Sequence, residues 1–224
     1  MHTINKFYFE AADPSLPSGS SASDRLHKLL KAKYDAGLLK PFNYVKGYAR
    51  LNAYMTQHLS KESSVRIVKQ LEAFRPAFRE KMHALSDLQL VMVEMWFERS
   101  LMEYDRVFAS MAIPACCWRR TGEIFRGNRE MAELIGVGWE KLRDGKLAIH
   151  EIIAEESLCA YWEKFGAVAF DWSQKAVLTS CSLKKLKRGG EGEEEGGGGK
   201  AGRKNEETVK CCFSFTIRRD VHNM

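Results

Sequence analysis

Apolar residues in the first half of the chain recur every three or four positions, which is the spacing of amphipathic helices. A first helix is predicted over about residues 24–36, capped by Ser23. A second helix is predicted to begin near Asn43, and a third to end just before Pro76 because proline excludes the preceding residue from helical geometry. Their predicted apolar faces are Leu26, Leu29 and Leu30, then Tyr44, Tyr48, Leu51, Met55 and Leu59, and then Val65, Val68, Leu71 and Phe74.

The longest predicted helix begins after a cap at Ser86 and extends to about Met111. One of its faces is apolar over three heptads. We interpret this face either as buried against the preceding helices or as the seam of a coiled-coil dimer. The candidate seam residues are Leu90, Val93, Phe97, Leu101, Tyr104 and Phe108.

The pattern changes from helical to strand-like after Pro114. Two short strands with Gly122 in their turn come first, several short helices follow, and two alternating strands, KAVLTSCSL and VKCCFSFTIRR, come last. This order predicts an α+β protein. We predict a flexible lead-in over residues 1–22, a helical region over 23–111 and a second domain over 112–224.

A low-complexity insert of glycine, glutamate and lysine separates the last two strands, at residues 184–208. It has almost no apolar side chains to bury, so it is predicted to be a disordered loop. Its basic clusters have the spacing of a bipartite nuclear import signal, although a solvated loop has the same composition. The candidate signal residues are Lys184, Lys185, Lys187, Arg188, Arg203 and Lys204.

Composition favours a folded protein, with 45% hydrophobic and 29% charged residues, and the net charge of +6 permits nucleic-acid or acidic partners. The six cysteines include two adjacent pairs, Cys116-Cys117 and Cys211-Cys212, and none is in a CxxC motif. Neighbouring strand residues point to opposite faces and cannot easily bind one metal ion. We interpret the cysteines as reduced, buried thiols, and we expect no metal site and no cofactor in this chain.

No arrangement typical of an enzyme is found, so no catalytic residue is assigned. The glycine run lies in the charged insert rather than between a strand and a helix, and His150 near Glu151 and Glu155 is interpreted as structural or exposed. Aromatic and aliphatic residues of the second domain could line a ligand pocket or form plain core. The pocket candidates are Trp118, Phe125, Leu134, Phe170 and Phe213, together with Ile152, Trp162 and Leu178.

Several long blocks carry a resemblance to a known family: CWRRTGEIFRGNREMAELIGV (117–137), CCFSFTIRRD (211–220), KFYFEAADP (6–14), and KAKYDAGLLKPFNYVKGYARL (31–51). In these blocks the chain resembles the fungal zinc-cluster transcription activators of gluconeogenesis, whose C-terminal half contains a PAS domain. The resemblance implies a PAS-like antiparallel sheet with short helices. It also implies a nuclear regulatory or interaction part of a transcription factor that controls gluconeogenesis and the use of non-fermentable carbon, acting through a protein partner or homodimer and not at a membrane.

The chain departs from that family at both ends. Full-length members bind DNA through an N-terminal Zn₂Cys₆ cluster, whereas no cysteine precedes Cys116 here, so zinc and DNA contact are expected only through a cluster that this chain lacks. The family also continues past Arg219 into a last strand that in PAS domains lies between the first and the fourth, so a truncated, marginally stable sheet is predicted. The alternatives are a PAS metabolite sensor, or a truncated paralogue without DNA binding that acts through dimerisation.

Overall fold

The first half of the described chain is helical. The computed structural model describes residues 22–171, 173, 176–186, 207–220 and 222, so most of the predicted lead-in and residues 187–206 of the predicted insert lie outside it. Within the described part, the helices of this half are α1 (Ala22–Asp35), α2 (Tyr44–His58), α3 (Lys61–His83) and α4 (Asp87–Ser110).

Side-chain caps fix the starts of three of these helices. The side-chain oxygens of Asn43 and Ser60 accept hydrogen bonds from backbone N–H groups two and three residues later, at α2 and α3. At α4, Ser86 and Gln89 form a reciprocal capping box, and Met111 is the C-cap residue at the other end of the helix. The predicted bounds of the longest helix are therefore confirmed.

Two local predictions were wrong. Helix α1 begins at Ala22, two residues before its predicted start near residue 24, so the backbone of Ser23 lies within the helix rather than before it. Helix α3 continues through Pro76 and is buried along Ile67, Leu71, Phe74 and Phe78, while Val65 is 68% exposed. Proline cannot donate one of the helical hydrogen bonds. The burial of Phe74 and Phe78, on either side of the proline, offsets the free-energy cost of that missing bond.

The second half alternates strands and short helices. A hairpin is closed through Gly122, which adopts φ +96° as its predicted place in the turn requires. The elements are β1 (Cys116–Trp118), β2 (Ile124–Gly127), α5 (Arg129–Ile135), a 3₁₀ turn (Trp139–Leu142), α6 (Ile149–Ile152), α7 (Glu155–Val168), β3 (Val177–Lys184) and β4 (Thr208–Phe215). The α+β class is confirmed.

These strands form two separate antiparallel pairs. Strand β1 pairs with β2, and β3 pairs with β4 in a register that runs from Val177 opposite Phe215 to Lys184 opposite Thr208. Within the described residues, neither β1 nor β4 has a second strand neighbour. Each is therefore an edge strand on its other side.

One hydrophobic core extends across both halves of the chain. Helix α3 packs along α7, where the Phe74 ring is stacked on Trp162 with centroids 6.1 Å apart and meets Phe165 edge-on. At the rim, Arg66 forms an ion pair with Glu163 at 2.7 Å. The division at residue 112 stays a prediction, and it would run through this shared core.

In the part of the chain that the structure covers, none of the helices combines the length and apolarity needed to span a bilayer.

Candidate functional site: a groove between two sheet edges

The free edges of β1 and β4 face one cavity. Residues 115–118 line it from β1, and residues 214–217 line it from the end of β4. The cavity has a volume of about 460 Å³, open to solvent and mainly apolar. Helices α4 and α7 supply further walls, including Ser100 and Leu101 from α4 and Phe165 and Ala169 from α7. We call this cavity the β1–β4 groove.

The predicted seam face of α4 lines this groove. All six candidate seam residues line it: Leu90, Val93, Phe97, Leu101, Tyr104 and Phe108. The face therefore lies against the strand region, whereas one of our interpretations placed it against the preceding helices. A dimer through this face stays a prediction.

Arg119 follows β1 and is buried in an aromatic cage, with only 4% of the residue exposed. Its guanidinium lies 3.7 Å from the ring centroids of both Phe42 and Phe97 and 4.5 Å from that of Phe125. The same guanidinium donates two hydrogen bonds to the Glu94 carboxylate on α4. A buried cation is thus neutralised at the wall of the groove.

Arg120, the next residue, has a different environment. Its guanidinium lies 3.6 Å from the Tyr44 ring centroid and 4.6 Å from that of Phe78, and it donates to the Met82 sulfur at 2.8 Å. The Tyr48 hydroxyl is also within hydrogen-bonding reach. Within the described ranges no carboxylate forms an ion pair with Arg120, and its buried Nε has no hydrogen-bond partner.

Two further arginines line the groove just after β4. Arg218 forms an ion pair with Glu103 at 3.0 Å. Arg219 donates to the backbone carbonyls of Val168, Ala169 and Asp171, where α7 ends and its carbonyls have no helical partners. Among the four arginines of the groove, Arg120 is thus the one paired mainly with rings and sulfur.

Aromatic side chains connect the two sheets beside the groove. The Trp118 indole donates to the buried Tyr161 hydroxyl at 2.9 Å and is stacked on Phe213 with ring centroids 6.1 Å apart. These contacts join β1, α7 and β4 although the described parts of the two strands are not paired with each other.

The predicted pocket residues do not form one pocket. Of the five main candidates, Trp118 lines the groove, Leu134, Phe170 and Phe213 pack against the core, and Phe125 is one of the rings around Arg119. Ile152 and Trp162 are buried in the core, and Leu178 is 69% exposed.

The cysteines are free thiols in the described structure. Cys159 and Cys181 are buried, Cys211 is partly exposed together with Cys116 and Cys117, and Cys212 is exposed, so the interpretation as buried thiols is wrong for Cys212. Burial raises the pKa of Cys116 and of Cys117 to about 12, so both thiols are protonated near neutral pH. Within the described ranges, no group of three or more histidine, cysteine or acidic side chains could hold a metal ion.

His150 and its acidic neighbours Glu151 and Glu155 lie in different environments and do not contact one another through hydrogen bonds in the described structure. His150 is fully buried, neither ring nitrogen has a hydrogen-bond partner among the described residues, and burial lowers its pKa to about 3. Glu151 accepts two hydrogen bonds from Arg50, and Glu155 accepts one from the Ser60 backbone. Of the two interpretations, structural or exposed, the structure agrees with the first, because His150 lies in the core.

Two of the predicted import residues are described. Lys184 ends β3 and donates to the Tyr54 hydroxyl at 3.4 Å, and Lys185 forms an ion pair with Glu207 at 2.5 Å. Lys187, Arg188, Arg203 and Lys204 lie outside the described residues.

Sequence reasoning missed the roles of Arg119, Arg120 and Glu94. The adjacent arginines after Trp118 appeared only as part of a family-like block. A charged Glu94 on the otherwise apolar side of α4 was the available signal, because a carboxylate in such a position usually has a cationic partner.

Comparison with known proteins gives a consistent family assignment. Residues 113–204 match the ERT1/acuK family PAS domain. The chain is 64% identical over 218 residues to the zinc cluster transcription factor acuM of Aspergillus fumigatus and 50% identical over 219 residues to regulator of drug sensitivity 2 of Saccharomyces cerevisiae. It is 32% identical over 211 residues to the transcription activator of gluconeogenesis ERT1 of Postia placenta.

These alignments cover 97%, 98% and 94% of this chain but 32%, 45% and 49% of the relatives. The chain therefore spans about a third to about a half of the length of these relatives. No solved structure matches it. From the matched PAS region and these identities, the chain belongs to the ERT1/acuK family of fungal zinc-cluster transcription factors.

Proposed function

We propose that this chain is the regulatory, partner-binding part of a fungal transcription factor that controls gluconeogenesis and the use of non-fermentable carbon. The process is suggested by the names of its relatives, which are a zinc cluster transcription factor and an activator of gluconeogenesis. In this proposal the protein works in the nucleus and contacts DNA only through a zinc cluster that the described residues do not contain.

The observation that carries the mechanism is the pair of sheet edges that face one apolar groove. An extended protein segment that enters such a groove gains backbone hydrogen bonds from the edges and apolar contacts from the walls. Because the last strand of a PAS sheet lies between the first and the fourth, we expect the β1–β4 groove to accept a further strand, and α4 connects that event to the helical half of the chain.

The regulatory role is tested with the full chain fused to an unrelated DNA-binding domain and a reporter gene. We expect reporter activity to differ between glucose and ethanol media. Ala115→Trp places a large side chain in the groove and is expected to remove that difference, whereas Ala109→Trp, on an exposed position of α4, is the matched control. Equal activity of the unaltered fusion in both media would contradict the proposal.

Nuclear import is proposed to depend on the two basic clusters between β3 and β4. A fluorescent reporter fused to residues 184–204 should accumulate in the nucleus, and the same fusion with Lys187, Arg188, Arg203 and Lys204 replaced by serine should not. A cytoplasmic distribution of the unaltered fusion would remove this part of the proposal.

A metabolite sensor is the second candidate, and the groove volume is the observation that favours it. About 460 Å³ lies within the range of small-molecule sites. Binding of a metabolite would raise the thermal stability of the chain, because a ligand that binds only the folded state stabilises it. A screen of metabolites in which none shifts the melting temperature would weigh against this candidate.

A further inference from the structure

Two cysteines face each other across the β3–β4 hairpin. In the antiparallel register, Cys181 of β3 lies directly opposite Cys211 of β4. The other cysteines of the described strands face different residues: Cys212 faces Ser180, and Cys116 and Cys117 face Gly127 and Arg126. The proposed function gives the Cys181–Cys211 pair no role.

The separation of opposed residues in an antiparallel pair suits a disulfide bond. Such residues have Cα atoms about 4.5–5.5 Å apart, and the Cα atoms of disulfide-bonded cysteines are usually about 4.4–6.8 Å apart. The Cys211 thiol donates to the backbone carbonyl of Cys181 at 3.4 Å, and the two thiols lie within hydrogen-bonding reach of each other. A bond between the two sulfur atoms therefore requires side-chain rotation but no change of strand register.

The two thiols differ in their access to solvent. Cys181 is buried, whereas Cys211 is partly exposed. Burial raises the pKa of Cys181 to about 12 and raises the pKa of Cys211 as well. Because the thiolate is the form that reacts, weak oxidants should leave both thiols reduced near neutral pH. A small and strong oxidant, such as a peroxide, should react with Cys211 first.

Strand β3 is anchored to the start of α7. The backbone N–H of Ser182 donates to the Ser157 hydroxyl at 2.9 Å, and the N–H of Ala154 donates to the Ser182 carbonyl at 2.8 Å. Cys181 precedes Ser182 in the same strand. A covalent bond from Cys181 to Cys211 would therefore connect β4 to α7 through β3.

We propose that Cys181 and Cys211 form a reversible cross-strand disulfide when a peroxide oxidises this protein, so that the β3–β4 hairpin is an oxidant-dependent clamp. The clamp goes beyond the proposed function, because it adds a site of thiol oxidation within the strand region. Its expected effect is to hold β3 and β4 together and to stabilise the folded chain.

The oxidation has two steps. Hydrogen peroxide transfers one oxygen to the Cys211 sulfur: the O–O bond breaks, a sulfenic acid forms, and the released hydroxide takes up the thiol proton as water. The Cys181 thiolate then attacks that sulfur, the S–O bond breaks, and a second water leaves. Two thiols thus lose two electrons and two protons, and one peroxide becomes two waters. Exchange with two molecules of a small thiol restores both cysteines.

Peptide mass spectrometry tests the pairing in the full chain carrying Cys212→Ser. This background is needed because Cys211 and Cys212 lie in the same tryptic peptide, residues 211–218. The protein is treated with hydrogen peroxide at pH 8, the remaining thiols are alkylated, and the chain is digested with trypsin. We expect residues 176–184 linked to residues 211–218 as the main disulfide. Absence of this link, or a different main disulfide, would overturn the proposal.

Oxidation in concentrated urea distinguishes selection by the fold from chance pairing. In the unfolded chain no strand register holds the two thiols together, and loop closure favours the nearer pair Cys159–Cys181. The share of the Cys181–Cys211 link among all disulfides should therefore fall severalfold in urea. An equal share in urea and in buffer would contradict selection by the hairpin.

The melting temperature tests the clamp itself. A disulfide that closes a loop of about 30 residues restricts the unfolded chain, so the linked protein should melt about 10 °C higher than the reduced protein. Dithiothreitol should reverse this rise. Cys211→Ser, verified as folded by circular dichroism, is the control. It cannot form the link and should show no rise, and it accounts for methionine oxidation by the same peroxide.

A linked protein that melts at the temperature of the reduced protein, or an equal rise in Cys211→Ser, would refute the clamp. These outcomes leave the regulatory role untouched, because the carbon-source response of the reporter fusion tests that role separately.

Discussion

Arginine side chains join the helical half of this protein to the half that carries the strands, and their surroundings differ widely. Arg50 on α2 donates to Glu151 and to the backbone carbonyls of Gly145 and Lys146. Arg119 is buried with Glu94, whereas the Arg66 ion pair lies in solvent. Solvent screens the exposed pair, while a buried pair that loses one partner leaves a charge without compensation. Of these contacts, the Arg119–Glu94 ion pair is therefore the one whose disruption is expected to destabilise the fold most.

Replacement of Glu94 by glutamine should be strongly destabilising. The guanidinium of Arg119 would stay among the rings of Phe42 and Phe97 without its counter-ion. We expect the free energy of unfolding to fall by about 3 kcal/mol, the lower end of the range for a broken buried pair. Urea titration measures it, and Glu98→Gln, on an exposed face of α4, is the control that should change little. Equal effects of the two substitutions would contradict this assignment.

His150 predicts a dependence of stability on pH. Its folded-state pKa is lowered to about 3, chiefly by burial, from an ordinary value of 6.5. Above pH 6.5 the side chain is neutral in both states and pH has no effect through it. As the pH falls from 6.5 toward 3, the unfolded chain binds the proton and the folded chain does not, so stability falls by up to about 1.4 kcal/mol per pH unit.

The variant His150→Phe should lose this part of the acid sensitivity, because phenylalanine cannot bind a proton. Urea titrations at pH 7.5, 6.0 and 5.0 compare the slopes of unfolding free energy against pH. His58→Phe, at an exposed position near Tyr54, is the control and should keep the slope of the unaltered chain. A steep slope that is retained in His150→Phe would refute the role of this histidine.

At the scale of elements, helix α3 shows local propensity overridden by packing. Pro76 lies in its interior and cannot donate a backbone hydrogen bond. The helix nevertheless continues to His83, since Phe74 and Phe78 place their rings against Trp162 and Phe170 of the other half. The proline thus still lowers the stability of the helix, but the packing of these two rings outweighs that effect.

Pro76→Ala should therefore stabilise the protein. Alanine restores the missing helical hydrogen bond at an exposed position, and we expect the melting temperature to rise by a few degrees, since about 1 kcal/mol corresponds to 2–4 °C in a chain of this size. Differential scanning calorimetry measures the change, with Ala77→Gly as a helix-weakening control that should lower it. If the helix ended before Pro76 in solution, Pro76→Ala would not raise the melting temperature.

At the scale of the whole molecule, the halves share one core and one groove. Buried residues of α2 and α3, such as Leu51 and Ile67, belong to the same cluster as Tyr161 and Phe215. The groove likewise needs α4 for one wall and the strands for its edges. Regulation through the groove would therefore act on both halves together.

Residues 112–224 alone should not unfold cooperatively. Their separation exposes the face of α7 that Phe74 covers and removes the α4 wall of the groove, while β1 and β4 stay unpaired with each other. Thermal melting followed by near-ultraviolet circular dichroism should show a broad transition for this fragment and a sharper one for the full chain. A sharp melt of the fragment would contradict this prediction and would support an independent domain.

Much of the fold and little of the candidate site could be predicted from the sequence. The bounds of α4, the Gly122 turn and the alternating strands β3 and β4 follow from patterns within a few residues. The six residues of the α4 face were predicted to be a packing or dimer surface. In the structure all six line one wall of the β1–β4 groove. Arg120 could not be recognised from its neighbours, because its rings come from Tyr44 and Phe78, far away in the chain.

The sequence by itself determined the α+β class, the family resemblance and the elements whose caps and apolar periods are local. The tertiary structure alone decided that α3 passes through Pro76, that the face of α4 borders two strand edges, and that Arg120 has aromatic rings rather than a carboxylate as its partners among the described residues. The physical reason is range: caps and turns depend on hydrogen bonds between near neighbours, whereas burial and charge compensation depend on residues brought together only by folding.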